Sequence, residues 1–239
     1  FFGVPSSALE IMSLRIPAIH RNRAIKLVNS GFTSINDLTN ASISDLTEKS
    51  GFSETLVVQI KKHVEKYVDS FLKRAKSSQL RRCKELQRDP SIIEQLYSKK
   101  DDDFVKVVIE IFKTVGLQAS YVGDIGSHKV DGIINTEKGT IVIEGKRKSQ
   151  GSVSASEAEE VLGKGAEYAP ISHVTIGYPY FSKDAIQNTK NTKITLLKVS
   201  VIGEILVKYW QNLLSTDDVL KILMSGTAIK DSLFDKDLF

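Results

Sequence analysis

The sequence predicts an α/β fold, a mixed sheet with flanking helices, preceded by an all-α region over residues 1–90. Three observations predict it. From Gln118 to Lys198 short β-branched runs alternate with helical stretches, the pattern of a sheet covered on both faces. Within that region residues 130–146 read as two strands about a tight turn, with β-branched runs on either side of Glu137-Lys138-Gly139. Before residue 90 the signals are helical: caps, glycine stops and a 3.6-residue apolar period.

Taken in order, residues 6–14 read as a helix, residues 15–20 (Arg-Ile-Pro-Ala-Ile-His) as a tight connection, and residues 22–29 as a second helix stopped by Gly31. Ser34 and Ser42 each stand three residues before an aspartate, Asp37 and Asp45, and each marks a helix start close to a capping box. Gly51-Phe52-Ser53 forms a second short hairpin. From Glu54 the apolar positions Leu56, Ile60, Val64 and Val68 share a helical face, and the chain reads as one long helix, or two with a break near Ser77-Ser78, ended by Pro90.

Charge is unevenly spread along this chain of 239 residues and net charge +4. Between Lys61 and Arg88 ten Lys/Arg face three acids, a surplus of seven that leaves the rest of the chain at −3. A basic block of this kind is the footprint of a polyanion partner, and Arg81, Arg82 and Lys84 are its candidate contacts.

After a short lead-in helix over residues 91–102, the second domain, residues 91–239, reads as a helix over 103–115, a strand over 118–122, the hairpin, a helix over 154–166 with Ser154 as N-cap and Glu157 at N3, a strand over 172–177, a helix over 183–188, a strand over 194–198, and helices over 201–213 and 219–224. The tail to Phe239 is expected to be only partly ordered.

The hairpin carries the chemistry. If its loop spans residues 136–139, Asn135 pairs with Thr140 and Asp131 opposes Glu144. If the loop is Lys138-Gly139 alone, Asp131 opposes Lys146. Side chains alternate along a strand, so in both registers Asp131, Glu144 and Lys146 share one face, with directly opposed Cβ atoms about 4.5–5.5 Å apart. Two carboxylates this close do not both ionise cheaply without a cation between them, and a hard divalent ion such as Mg²⁺, or Mn²⁺, relieves the repulsion. Lys146 then holds or deprotonates an attacking water, which is equipment for metal-assisted phosphodiester hydrolysis. The plain alternative is a solvated surface hairpin, but Ile133-Ile134 and Ile141-Val142-Ile143 are apolar on both faces. Arg147 and Lys148 extend the cationic end of the strand and suit a phosphate backbone. Glu157 or Glu160 offers a further carboxylate from the following helix, though both read first as a solvated helix face; Asp124 and His128 read as loop residues, and His173 as structural.

Asp131 followed by Glu144-Gly145-Lys146 resembles the D…(D/E)-x-K signature of the PD-(D/E)xK nuclease superfamily. Residues 104–112 (Phe-Val-Lys-Val-Val-Ile-Glu-Ile-Phe) with Gly116 are similar to the opening helix of its Mrr-like restriction endonuclease branch, and Phe181-Ser182-Lys183-Asp184-Ala185 to that branch's F-[ST]-x-x-A segment. The match covers about residues 103–210. It implies a restriction-endonuclease-like sheet, metal ligation by Asp131, Glu144 and the Gly145 carbonyl, and an acid on the opening helix, for which Glu110 is the candidate because it is expected to face the sheet. In that branch the acid often follows the aromatic residue directly, where this chain has Val105.

Residues 14–24 with residues 31–38 resemble the tandem helix-hairpin-helix module near the C-terminus of Ski2-type DNA helicases. Such hairpins bind phosphate through backbone N–H groups, and Arg15, Arg21 and Arg23 lie close by. Ala18 and His20 stand where that motif usually has glycine.

Several classes are excluded. No apolar run reaches 18 residues, no signal segment opens the chain, and no P-loop signature is present. The single Cys83 excludes an internal disulfide framework and a Cys-rich zinc site, and suits a reducing, cytoplasmic or nucleoid-associated setting. The chain opens without an initiator Met, which fits a segment of a longer helicase-nuclease. Two readings follow: a Mg²⁺-dependent DNA endonuclease in restriction, defence or repair, and a non-catalytic DNA-binding or assembly module that keeps a nuclease fold. DNA, an upstream helicase domain and a second copy of the chain are the partners these readings admit, with no membrane.

Overall fold

In the computed structural model the chain is described over residues 5–123, 130–149 and 151–229. It divides into two compact units between Phe71 and Leu72.

The first unit is all helical: α1 (Ser6–Ser13), α2 (Arg21–Asn29), α3 (Ile35–Asn40), α4 (Ile43–Ser50) and the first part of α5 (Glu54–Glu85). Its caps are those the sequence predicts. Ser34 and Asp37 form a reciprocal capping box at α3, and Ser42 accepts the Asp45 N–H at 2.9 Å at α4. Gly51 closes α4 in the left-handed region, at φ 63°. Lys61 is drawn into this unit: its Nζ donates to the carbonyls of Leu38, Thr39 and Ala41 at 3.3, 2.5 and 2.9 Å. A cation on the orphan carbonyls of α3 completes that helix's C-terminus. Ile11, Leu27, Leu38, Leu46 and Ile60 form the core, and each such side chain contributes roughly 1.5–3 kcal/mol by burial.

Of the two readings the sequence leaves open for α5, the structure takes the single helix, unbroken through Ser77-Ser78, and the chain divides inside it, between Phe71 and Leu72, rather than at residue 90. The reason is side-chain burial after Leu72. Gln79 donates to the Ser200 carbonyl at 2.9 Å and accepts from the Tyr97 hydroxyl at 3.0 Å, and Arg82 makes a bidentate ion pair with Glu204. These residues tie the C-terminal part of α5 to α6 (Ser91–Ser98) and to α10 (Val199–Trp210) within the second unit; α5 itself stops at Glu85, with Gln87 at φ 54°, and Pro90 is the N-cap of α6.

The second unit continues with α7 (Asp101–Thr114), β1 (Gln118–Tyr121), β2 (Gly132–Thr136), β3 (Gly139–Arg147), α8 (Ala155–Glu159), β4 (Ser172–Tyr178), α9 (Lys183–Thr192), β5 (Thr195–Lys198), α10 (Val199–Trp210) and α11 (Thr216–Leu223). The five strands form one mixed sheet in the order β1-β2-β3-β4-β5, antiparallel from β1 to β3 and parallel from β3 to β5. This is an α/β fold with flanking helices.

One sheet face is covered by α7. Three aspartates in its first turn and Lys113 in its last match the helix dipole. A Cβ on Gly132 would meet Ile109 at 2.6 Å, and one on Gly145 would meet Val105 at 2.7 Å, so two glycines let this helix lie against the strands. The opposite face carries a separate cluster of Val130, Val142, Val153, Ala158, Val161 and Phe181. Ser182 caps α9 by accepting the Ala185 N–H at 3.0 Å, and the Phe181 ring fills the space over Gly177.

The helix expected over residues 154–166 is cut short. Ser154 and Glu157 do form the capping box, but α8 ends at Glu159 and passes into 3₁₀ turns over Glu160–Gly163 and Ala166–Tyr168. Gly165, at φ +69°, breaks the run because its backbone rests on the sheet: a Cβ there would lie 2.9 Å from Val130 and 3.1 Å from Val142. No described helix is long and apolar enough to cross a membrane. Asp124 and His128, and the tail beyond Ile229, lie outside the described residues.

Candidate functional site

The β2–β3 ladder takes the first of the two registers, with Asn135 opposite Thr140 and Gly132 opposite Ile143. One step further along, Asp131 comes across from Glu144. Its Oδ2 accepts the Gly145 N–H at 2.8 Å. Strand alternation puts Glu144 and Lys146 on the face of Val142, away from α7.

Glu144 is 2% exposed. Its Oε1 receives two ammonium groups, Lys146 at 2.9 Å and Lys164 at 2.5 Å. Its Oε2 is buried and has no hydrogen-bond partner among the described residues. Lys146 also reaches Glu160 Oε2 at 2.5 Å. Burial would lower the Lys146 pKa, but its hydrogen bonds to Glu160 and Glu144 outweigh this and hold it above its usual value. Asp131 is pushed up to about 6, first by burial and then by the charge of Glu144, against the Gly145 N–H and the two lysines. Asp131, Glu144 and Lys146 are thus brought together. Lys164 and Glu160 join them. Lys164 escaped the sequence reading, because the segment expected as a helix over 154–166 turns into 3₁₀ structure there, and Glu160, read first as a solvated helix face, is the counter-ion of Lys146.

Other expectations need correction. Glu110 does not face the sheet: its side chain is 62% exposed and pairs with Lys113 at 3.8 Å. The neighbours Ile109 and Ile111 take the buried positions, which turns Glu110 outward. Arg82 is not available to a phosphate, being 8% exposed and paired through both Nη atoms with Glu204. Arg147 is half-buried, donating to the Tyr97 carbonyl at 2.8 Å with its guanidinium 3.9 Å from the Tyr178 ring centroid. Lys148 pairs with Glu157 at 3.0 Å, and Arg23 donates to the Ala18 carbonyl at 2.7 Å. Arg15, Arg21, Arg81 and Lys84 are exposed, Arg81 alongside Glu85 at 3.7 Å. His173 is half-buried in β4, and burial lowers its pKa.

No three His, Cys, Asp or Glu side chains gather to hold a metal ion among the described residues. Asp131 and Glu144 offer hard oxygen donors, and Glu144 Oε2 is a buried acceptor there without a hydrogen-bond partner among the described residues. An open groove lined by Gly116, Asn135, Lys138, Thr216 and Lys221 lies at the turn end of the β2–β3 hairpin, away from these carboxylates. Comparison with protein-family models, curated proteins and solved structures finds no match to this chain.

Proposed function

We propose that the second unit is a metal-dependent phosphodiesterase acting on DNA. The observation that carries this reading is Glu144 Oε2, a buried carboxylate oxygen without a hydrogen-bond partner among the described residues, beside an Asp131 whose pKa burial and the Glu144 charge have raised. A native fold does not usually leave such an oxygen bare, because an unsatisfied buried acceptor costs about 1–3 kcal/mol. The donor set fits Mg²⁺ or Mn²⁺: Asp131 and Glu144 would hold the ion, with the Gly145 carbonyl as the further ligand that the family resemblance implies. Bound there, the ion would supply Lewis acidity and a more acidic water.

The rest falls to the chain. Lys146, held protonated by Glu144 and Glu160, suits an ammonium donor to a phosphate oxygen better than a base that takes a proton from water. Glu160 positions that ammonium. Asp131 is fully ionised only above about pH 6, so cation capture would strengthen through that pH. The mixed sheet, antiparallel from β1 to β3 and parallel from β3 to β5, is compatible with a restriction-endonuclease-like sheet, and Ser182 of the Phe181–Ala185 segment caps the helix after β4.

For the first unit we propose a helix-hairpin-helix role in orienting DNA, supported by the exposed Arg15 and Arg21 beside the α1–α2 connection. The Ski2-type resemblance extends the proposal to a helicase motor elsewhere in the same protein. The test is cleavage of supercoiled plasmid, linear single-stranded DNA and branched DNA with Mg²⁺, Mn²⁺ or EDTA. Cleavage that requires the ion and disappears in Glu144→Gln supports the reading. Binding without cleavage on every substrate favours the non-catalytic module.

A further inference from the structure

Glu144 is satisfied lopsidedly. Two ammonium groups crowd Oε1 while Oε2 has no hydrogen-bond partner among the described residues. A purely structural ion pair of this burial would use both oxygens, since a half-satisfied carboxylate forfeits the hydrogen bonds that offset its desolvation. Of the two lysines, Lys146 has a second carboxylate, Glu160, to hold it. For Lys164, at 26% exposure, Glu144 is the ion-pair partner the structure gives.

Lys164 is also delivered to this point by the backbone. It stands between Gly163, around which there is open space, and Gly165, which packs on Val130 and Val142. Val130 precedes Asp131, and Val142 lies two residues before Glu144 on the same face. The contact that fixes the chain next to Lys164 is therefore made to the strand segments that carry both carboxylates.

We propose that Lys164 is the exchangeable counter-ion of this site: its ammonium neutralises Glu144 in the ion-free protein and yields it to a divalent cation, so that Lys164 sets the cation concentration at which the site fills. The inference rests on the metal-dependent reading above and adds a residue to which the family signature assigns no role. A unit charge within a few ångström of an entering cation opposes it, and at a partly exposed position the opposition is moderated by solvent but not abolished.

The test is calorimetric titration of the whole chain with MnCl₂ at low ionic strength, on wild type, Lys164→Gln, Lys164→Met and Glu144→Gln. Lys164→Met keeps the aliphatic stem, which guards against a loss of packing in Lys164→Gln. Both lysine variants are expected to bind Mn²⁺ about tenfold more tightly than wild type, and Glu144→Gln to lose binding. In EDTA the two lysine variants should melt below wild type, and saturating Mn²⁺ should raise their Tm by more than it raises that of wild type. A merely structural lysine would not produce that larger rise. If both variants bind Mn²⁺ no more tightly than wild type while Glu144→Gln loses it, the metal reading stands and the role of Lys164 is overturned. If wild type and both lysine variants fail to bind at millimolar Mn²⁺, or Glu144→Gln binds like wild type, the metal reading falls and this inference falls with it.

Discussion

The carboxylate of Asp131 is tied to the backbone N–H of Gly145, at 2.8 Å, the residue between Glu144 and Lys146. The bond is made to main chain, so the position of Asp131 follows the register of β2 on β3 and not the rotamer of a neighbour. In this way the hairpin alone brings one acid from β2 to the acid and ammonium of β3.

That position has a cost that depends on pH. Asp131 titrates near 3.8 in an unfolded chain and at about 6 in the fold, so the folded state binds more protons between those values. Stability therefore falls as pH rises through that window, by about 2–3 kcal/mol at most. Urea denaturation in EDTA between pH 4 and pH 7 checks this. In Asp131→Asn the decline should be absent.

Lys146→Ala should separate binding from turnover. Both carboxylates remain, so Mn²⁺ binding should persist. Loss of one charge-stabilising donor typically lowers a rate by about 10²–10³-fold. Plasmid cleavage beside calorimetry on the same preparation is the measurement, and cleavage at the wild-type rate would assign the activity to another site.

Arg82→Ala should be strongly destabilising without touching cleavage chemistry. It strands a Glu204 carboxylate that is 5% exposed, a loss of about 3–5 kcal/mol. Pairing it with Glu204→Leu should recover much of that loss in denaturant titrations. A change below about 1 kcal/mol would mean that solvent reaches the pair.

Gly145→Ala tests the approach of α7. The added Cβ meets Val105 at 2.7 Å, and overpacking of this kind typically costs about 1–3 kcal/mol. Val105→Ala should relieve it, so a double-mutant cycle on Tm should show favourable coupling. Additive losses would place the strain in the strand itself.

If the exposed cations of α5 meet DNA, affinity should fall steeply with salt. Charge reversal at Arg81 and Lys84 should then flatten that slope, while Arg82, being buried, belongs outside such a test. A slope unchanged by the double reversal would leave the two residues as a solvated face.

The sequence and the structure agree where a signal is local. The capping pairs Ser34–Asp37 and Ser154–Glu157, the β2–β3 hairpin, and the shared face of Asp131, Glu144 and Lys146 all follow from spacings of a few residues. What escaped is long-range. Arg82 meets Glu204 across 122 residues, and nothing in a run of basic residues marks which one turns inward. Lys164 comes to Glu144 across 20 residues through a 3₁₀ path that no helical period announces. Glu110 fails for a related reason. On a helix buried on most sides, the apolar period leaves its angular position ambiguous, and only packing decides it.

The ammonium groups around β3 are each matched by acids: Lys146 with Glu144 and Glu160, Lys164 with Glu144, Lys148 with Glu157. Among the described residues these three ammonium groups leave no surplus positive charge of their own to offer a polyanion. An added cation would create that surplus. Binding linkage is reciprocal, so whatever factor the cation adds to the affinity for phosphate, phosphate adds to the affinity for the cation. On the proposed reading neither ligand alone saturates the site at modest concentration, and the protein acts as a coincidence detector for the two.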